Sequence, residues 1–221
     1  MKKNKMMRIA SVLLVLTLLS TCVISGTFAK YVTKGSGSDN ARVAKFGVKI
    51  ESTGELFDTE YATHDTTYSG SLSVKSSNDD KLVAPGTTKN FAGFTVSGTP
   101  EVAVRMAFSE ATLTLTGWTD ADNSYYCPLI IKVGNTTLDG ADYSSIEAFK
   151  AAVEAEIKNF TKDYDPLTTL SATDIPAISW SWPFFTSDAN DVKDTYLGDQ
   201  AAAGNASTIE LAVTLTVTQI D

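Results

Sequence analysis

Apolar and polar residues alternate with a two-residue period along most of the chain beyond residue 43. Ala44, Phe46, Val48 and Ile50 form one such set, and Val102, Val104, Met106 and Phe108 another. Leu113 and Leu115 follow, then Leu129, Ile131 and Val133, then Ile178, Trp180, Trp182 and Phe184. The longest set is Ile209, Leu211, Val213, Leu215 and Val217, with Glu210, Thr214, Thr216 and Thr218 on the opposite phase. A period of two, rich in β-branched residues, marks strands that bury one face. With shorter candidates at 72–74 and 91–96, about eight strands are expected, a number suited to a two-sheet sandwich.

The period changes once. Ser144 with Glu147 forms a capping box, and Ile146, Phe149, Val153, Ile157 and Phe160 then recur at helical steps. Lys158 and Lys162 suit the negative end of a helix dipole, and Asp165-Pro166 closes the region. Turn residues at Ala84-Pro85-Gly86, Gly98-Thr99-Pro100, Asn78-Asp79-Asp80 and Gly204-Asn205 separate the strands. The pattern predicts an all-β, jelly-roll-like two-sheet antiparallel sandwich, with one amphipathic helix over 144–160 inserted in a long connection.

The first residues follow a different logic. Lys2, Lys3, Lys5 and Arg8 precede an apolar run from Ile9 to Ile24, and Ser25-Gly26-Thr27-Phe28-Ala29 follows. A basic start, an apolar middle and small residues at a cleavage site make a secretory signal. Thr27 and Ala29 stand at the small-residue positions, so cleavage is expected before Lys30. The run of sixteen residues from Ile9 to Ile24 falls short of the roughly 20 that a spanning helix needs. Leu19-Ser20-Thr21-Cys22 resembles a lipidation site, but Thr21 replaces the usual smaller residue and apolar residues continue past Cys22. The organisation expected is therefore a signal over 1–29, a donor-strand segment and Gly/Ser linker over 30–40, and the sandwich domain over 41–221. At the other end, Asp221 follows a strand-like segment without a sorting motif, an apolar helix or a basic tail. The processed protein is expected outside the cell, secreted into a matrix or held on the surface by other subunits, with no membrane attachment.

Charge narrows the choice of partners. Without residues 1–29, 14 Lys and Arg stand against 26 Asp and Glu, a net of −12. That excess repels nucleic acid and anionic lipid, so neither is an expected partner. Cys22 leaves with the signal and Cys127 remains alone, which excludes an internal disulfide.

Candidate chemistry is sparse. His64 is the only histidine and lies in the polar stretch Thr63-His64-Asp65-Thr66, while Cys127 begins a strand. No His-Glu-x-x-His, Gly-x-Ser-x-Gly or phosphate loop occurs. Asp120, Asp122 and Asn123 form an oxygen-rich turn without the later ligands of a calcium-binding loop. The expectation is a protein that is not an enzyme, with no catalytic residues, no metal and no cofactor. Trp180, Trp182, Phe184 and Phe185 could stack on sugars if exposed, which would make the chain a monomeric adhesin or glycan-binding module. The alternation of Trp180 and Trp182 favours the core instead.

Assembly remains. Cleavage frees Lys30-Tyr31-Val32-Thr33-Lys34, an extended-type segment set off by Gly35-Ser36-Gly37-Ser38. Such a segment can add as a strand to an open sheet edge, with Tyr31 and Thr33 on one side and Val32 on the other. From the residues alone it is equally an unengaged terminus.

Ser25 to Tyr31, together with Ala41-Arg42-Val43-Ala44-Lys45-Phe46, resembles the leader and first strand of the TasA/camelysin family. Leu82-Val83-Ala84-Pro85-Gly86-Thr87 is similar to the Pro-Gly turn of that family. The Ile178–Phe184 block, Asp194-Thr195-Tyr196-Leu197-Gly198 and the closing strand also resemble TasA-type proteins of Gram-positive bacteria. The resemblance implies a jelly-roll subunit of extracellular biofilm-matrix fibres, cut by a dedicated signal peptidase. It further implies donor-strand complementation between copies, with Lys30 to Lys34 as the donor. Part of that family carries a metallo-endopeptidase label, which a chain with one histidine and no zinc motif does not support.

Overall fold

The computed structural model describes residues 6–7, 9–16, 39–91 and 93–221. The chain divides into two units, Met1–Arg42 and Val43–Asp221. In the first, residues 9–16 are helical and exposed. Among the described residues no helix is long and apolar enough to cross a membrane. The expected cleavage site at Thr27, Ala29 and Lys30 and the donor segment Lys30, Tyr31, Val32, Thr33 and Lys34 lie outside the described residues.

The second unit is predominantly β. It contains β1 (Lys49–Ser52), β2 (Glu60–Ala62), β3 (Leu72–Lys75), β4 (Thr88–Phe91), β5 (Phe94–Ser97) and β6 (Val104–Thr116). After these come β7 (Ile130–Val133), β8 (Thr136–Asp139), β9 (Thr161–Tyr164), β10 (Ile178–Ser181) and β11 (Thr208–Gln219). Two α-helices are inserted, α1 (Ile146–Lys158) and α2 (Asp188–Ala202). Every strand pair is antiparallel. The larger sheets run β4-β10-β7-β8 and β11-β6-β9, and β1-β5 and β2-β3 form two-stranded ribbons. The apolar faces of both larger sheets join one core that includes Val104, Met106, Leu113, Ile131, Ile178 and Trp180.

Strand β6 joins two alternating sets that are out of step in sequence. Val104, Met106 and Phe108 are buried, and so are Ala111, Leu113 and Leu115. The phase break is absorbed by a bulge. Thr214 pairs with Glu110 and Leu215 with Phe108, so Ser109 is an extra residue with no partner in β11. Both halves of the strand thereby keep their apolar side chains on the core face. The outer face of this strand pair carries exposed Thr112, Thr114, Thr116, Thr208, Thr214 and Thr218.

Several expectations shift. The single candidate at 91–96 is two strands in different sheets, with β4 in the four-stranded sheet and β5 paired to β1. Val43 and Phe46 are exposed and precede the first strand, which starts only at Lys49. The N-cap of α1 is Ser145, not Ser144; its hydroxyl accepts the Ala148 N–H at 3.2 Å. Phe149, Val153 and Ile157 bury the predicted stripe, while Phe160 lies beyond the helix end. The Glu154 carboxylate accepts the backbone N–H of Leu113 at 2.9 Å, so this helix closes part of the β6 edge that β9 leaves uncovered.

A second helix overturns the expectation of only one. Ser187 caps α2 by accepting the Asn190 N–H, and Asp188 and Asp191 sit in its first turn, where the helix dipole favours negative charge. Its sequence carries no apolar stripe, and Leu197 is its one buried residue. Polar contacts hold it instead. The Tyr126 hydroxyl donates to Asp194 at 2.6 Å, and Lys193 pairs with Asp120 at 3.1 Å and lies over the Tyr126 ring. Burial pushes the Asp194 carboxyl up, and neighbouring Asp191 adds to the shift, against the Tyr126 hydrogen bond. A raised folded-state value means that docking of α2 is favoured below the ordinary carboxylate range and weakened as pH rises through the shifted value. Asp194→Asn removes the buried charge and retains an acceptor for Tyr126. Hydrogen-exchange protection across 188–202, corrected for the intrinsic exchange rate, is expected to rise at pH 7 in this variant and to lose the decline that the parent shows as pH rises above the ordinary carboxylate range. Faster exchange at pH 7 would show that the charge helps hold the helix.

Candidate functional site: an open strand edge

The residues weighed for catalysis are scattered. His64 is exposed in the β2–β3 loop. Cys127 is 1% exposed, and burial pushes its thiol up to about 12, the wrong direction for a nucleophile. In the oxygen-rich turn, Asp120 is already engaged. Its Oδ1 accepts the N–H groups of Asp122 and Ser124, its Oδ2 meets Lys193, and these contacts hold its carboxyl below the usual range. Among the described residues no group of three or more His, Cys, Asp or Glu side chains could hold a metal ion.

The aromatic block divides. Trp180 and Trp182 are 2% and 5% exposed and belong to the core. They cannot serve a surface glycan site, and that form of the adhesin reading falls. Phe184 does not continue their buried phase, because the strand ends at Ser181 and Pro183 follows. Phe184 and Phe185 are exposed.

The last strand is the most unusual surface. β11 is twelve residues long and, among the described residues, pairs with β6 alone. The Leu113 N–H points away from β11 to Glu154, so Leu113 and Leu211 form a non-hydrogen-bonded pair. At the far end the Ile220 N–H donates to the Ala103 carbonyl. Both observations put even-numbered residues toward β6. The N–H and C=O groups of Ile209, Leu211 and Val213 therefore face the open edge.

Burial tells the same story. Leu115, Leu113 and Ala111 are buried, whereas their partners Ile209, Leu211 and Val213 across the ladder are only half-buried. The core is covered on the β6 side of each pair and left ajar on the β11 side. Edge strands are ordinarily protected by shortness, charge or proline. β11 is long, has no proline, and carries only Glu210 as a charged residue.

The opposite margin is defended. β9 is four residues long and includes Lys162 and Asp163. Arg105 forks onto both oxygens of Asp163 at 2.6 and 2.7 Å, and Lys162 pairs with Asp174.

The alternation of β11 was legible in the sequence, but its place at an edge was not. That depends on which strands fail to reach it, and no local signal encodes an absent neighbour. Comparison with protein-family models, with curated proteins and with solved structures finds no match.

Proposed function

We propose that this chain is a secreted, non-enzymatic subunit of an extracellular fibre, joined to its neighbours by strand addition. The observation that carries this reading is the bare edge of β11 beside the half-buried Ile209, Leu211 and Val213. The span from Ile209 to Val213 matches in length the segment from Lys30 to Lys34, which cleavage after Ala29 would free. In this reading the two larger sheets are the halves of a jelly roll, and the segment from one copy extends the sheet of the next. Covering the exposed half of three aliphatic side chains contributes on the order of 3 kcal/mol, and added backbone hydrogen bonds fix the register. Lys30 and Lys34 would also bring positive charge to an acidic domain, an attraction that salt screens. A head-to-tail contact of this kind does not close on itself and yields a filament.

The test compares two N-terminal starts. Protein beginning at Lys30 is expected to form filaments under negative stain and to elute early on size exclusion, less so at high salt. Protein beginning at Ala41 is expected to stay monomeric. Val213→Pro removes an N–H that faces the open edge rather than the β6 ladder, together with one half-buried side chain, so in the longer protein it should still fold by circular dichroism and not polymerise. Equal polymerisation from both starts would sink the donor-strand role.

A further inference from the structure

We propose that a cleft between the β2–β3 loop and the 84–87 turn binds an uncharged glycan, stacking sugar rings on Phe184 and Tyr68. The cleft has a volume of about 600 Å³, within the range of small-ligand sites. Phe184 is 77% exposed and Tyr68 54%, yet both line this one cavity rather than lying apart on the surface.

Each ring rests on a glycine. A Cβ added at Gly86 would come within 3.3 Å of the Phe184 ring, and one added at Gly70 would fall 2.4 Å from the Tyr68 ring. Gly86 has φ +84° in a turn whose Thr87 N–H bonds the Ala84 carbonyl, with Pro85 at the second position. Pro followed by a positive-φ Gly is the type II pattern. Trp182 C=O accepts the Gly86 N–H at 2.8 Å, tying the turn to the chain just before Phe184. Both aromatic side chains thus have a fixed backbone neighbour, and most of each remains exposed. Preorganised aromatic surfaces lower the ordering cost of binding.

Polar side chains complete the wall. Thr63, His64, Asp65 and Ser73 line the same cleft, and Asp65 Oδ1 is held by the N–H and hydroxyl of Thr67 at 2.7 and 2.6 Å. Apolar ring faces beside hydroxyl, imidazole and carboxylate groups suit a sugar, whose C–H face is apolar and whose rim is hydroxylated. The net charge of −12 without residues 1–29 disfavours uronic or sialic acids, so the ligand class is uncharged. This proposal is independent of fibre assembly, since none of these residues lies on β11.

The test uses the full chain in calorimetric titrations with cellotriose, xylotriose, mannotriose and chitotriose. At least one is expected to bind, with affinity reduced roughly tenfold or more by Phe184→Ala and by Tyr68→Ala. Phe185→Ala, exposed but outside the cleft, should leave binding unchanged. Both cleft residues are exposed, so the variants should keep the parent melting temperature. Failure of all four sugars, or binding insensitive to both cleft substitutions, would overturn the proposal. So would a proline-rich peptide that binds with the same dependence on Phe184 and Tyr68 while the sugars do not.

Discussion

Deletion of Thr112 is expected to unfold the domain, whereas deletion of Ser109, three residues earlier in the same strand, is expected to leave it folded. Thr112 lies in the regular part of the β6–β11 ladder opposite Ala212. Removing it turns Leu113 and Leu115 outward and brings Thr114 and Thr116 toward the core, because a one-residue slip exchanges the two faces of a strand. Losing the burial of two leucines costs about 3–6 kcal/mol, and each buried hydroxyl without a partner adds about 1–3 kcal/mol. Their total is comparable to the roughly 5–15 kcal/mol stability of a whole domain. Ser109 is different because it is the bulged residue. Without it, Phe108 and Glu110 become neighbours already paired to Leu215 and Thr214, and the alternation is regular throughout. The loss is its hydroxyl contact to the Thr214 carbonyl and some local twist, about 1–2 kcal/mol. Circular dichroism and thermal melts of the two deletions decide the matter. A folded Thr112 deletion beside an unfolded Ser109 deletion would show that the bulge does not set the phase.

Trp180→Ala is expected to cost about 3–5 kcal/mol in denaturant unfolding. The indole is 2% exposed, packs at 5.5 Å from Phe57 and edge-on at 5.9 Å from Tyr61, and sits between Lys89 and Ile131 in the four-stranded sheet. Its N–H donates to the Leu56 carbonyl at 2.7 Å. That bond ties the segment between β1 and β2 to the central strand of the sheet. Trp180→Phe keeps much of the ring and loses the hydrogen bond, so a loss of about 1–2 kcal/mol is expected there. A Trp180→Ala loss below about 1 kcal/mol would contradict the packing described.

Much of the fold was readable because half-buried strands announce themselves by alternation. β6, β7, β10 and β11 fall where that pattern places them. β8 and β9 escaped because Thr136–Asp139 and Thr161–Tyr164 are short and mostly polar, and their pairing is dictated by neighbours far along the chain. The helix α2 escaped for a related reason. Its hold on the domain runs through Tyr126, Asp194, Lys193 and Asp120, which leave no apolar stripe. Ser187 before an acidic first turn, and Gly204 just past the end, were the local signals that could have found it. Phe184 kept the phase of Trp180 and Trp182 yet left the core, because Pro183 separates it from the strand. The candidate sites were less legible. The cleft draws on residues 63–74, 85–86 and 184, which only the tertiary fold brings together.

The carboxylate of Glu154 on the Leu113 N–H has a consequence for valence. A sheet sealed along one margin by a helix and a short charged strand, and bare along the other, accepts a newcomer on one side only. In the proposed fibre, subunits built this way would queue in single file and not fork. The number of growing tips would stay fixed while the length increased. Glu154→Ala would leave the buried Leu113 N–H without its acceptor, at a cost of about 1–3 kcal/mol, while Phe149, Val153 and Ile157 keep the helix over that margin.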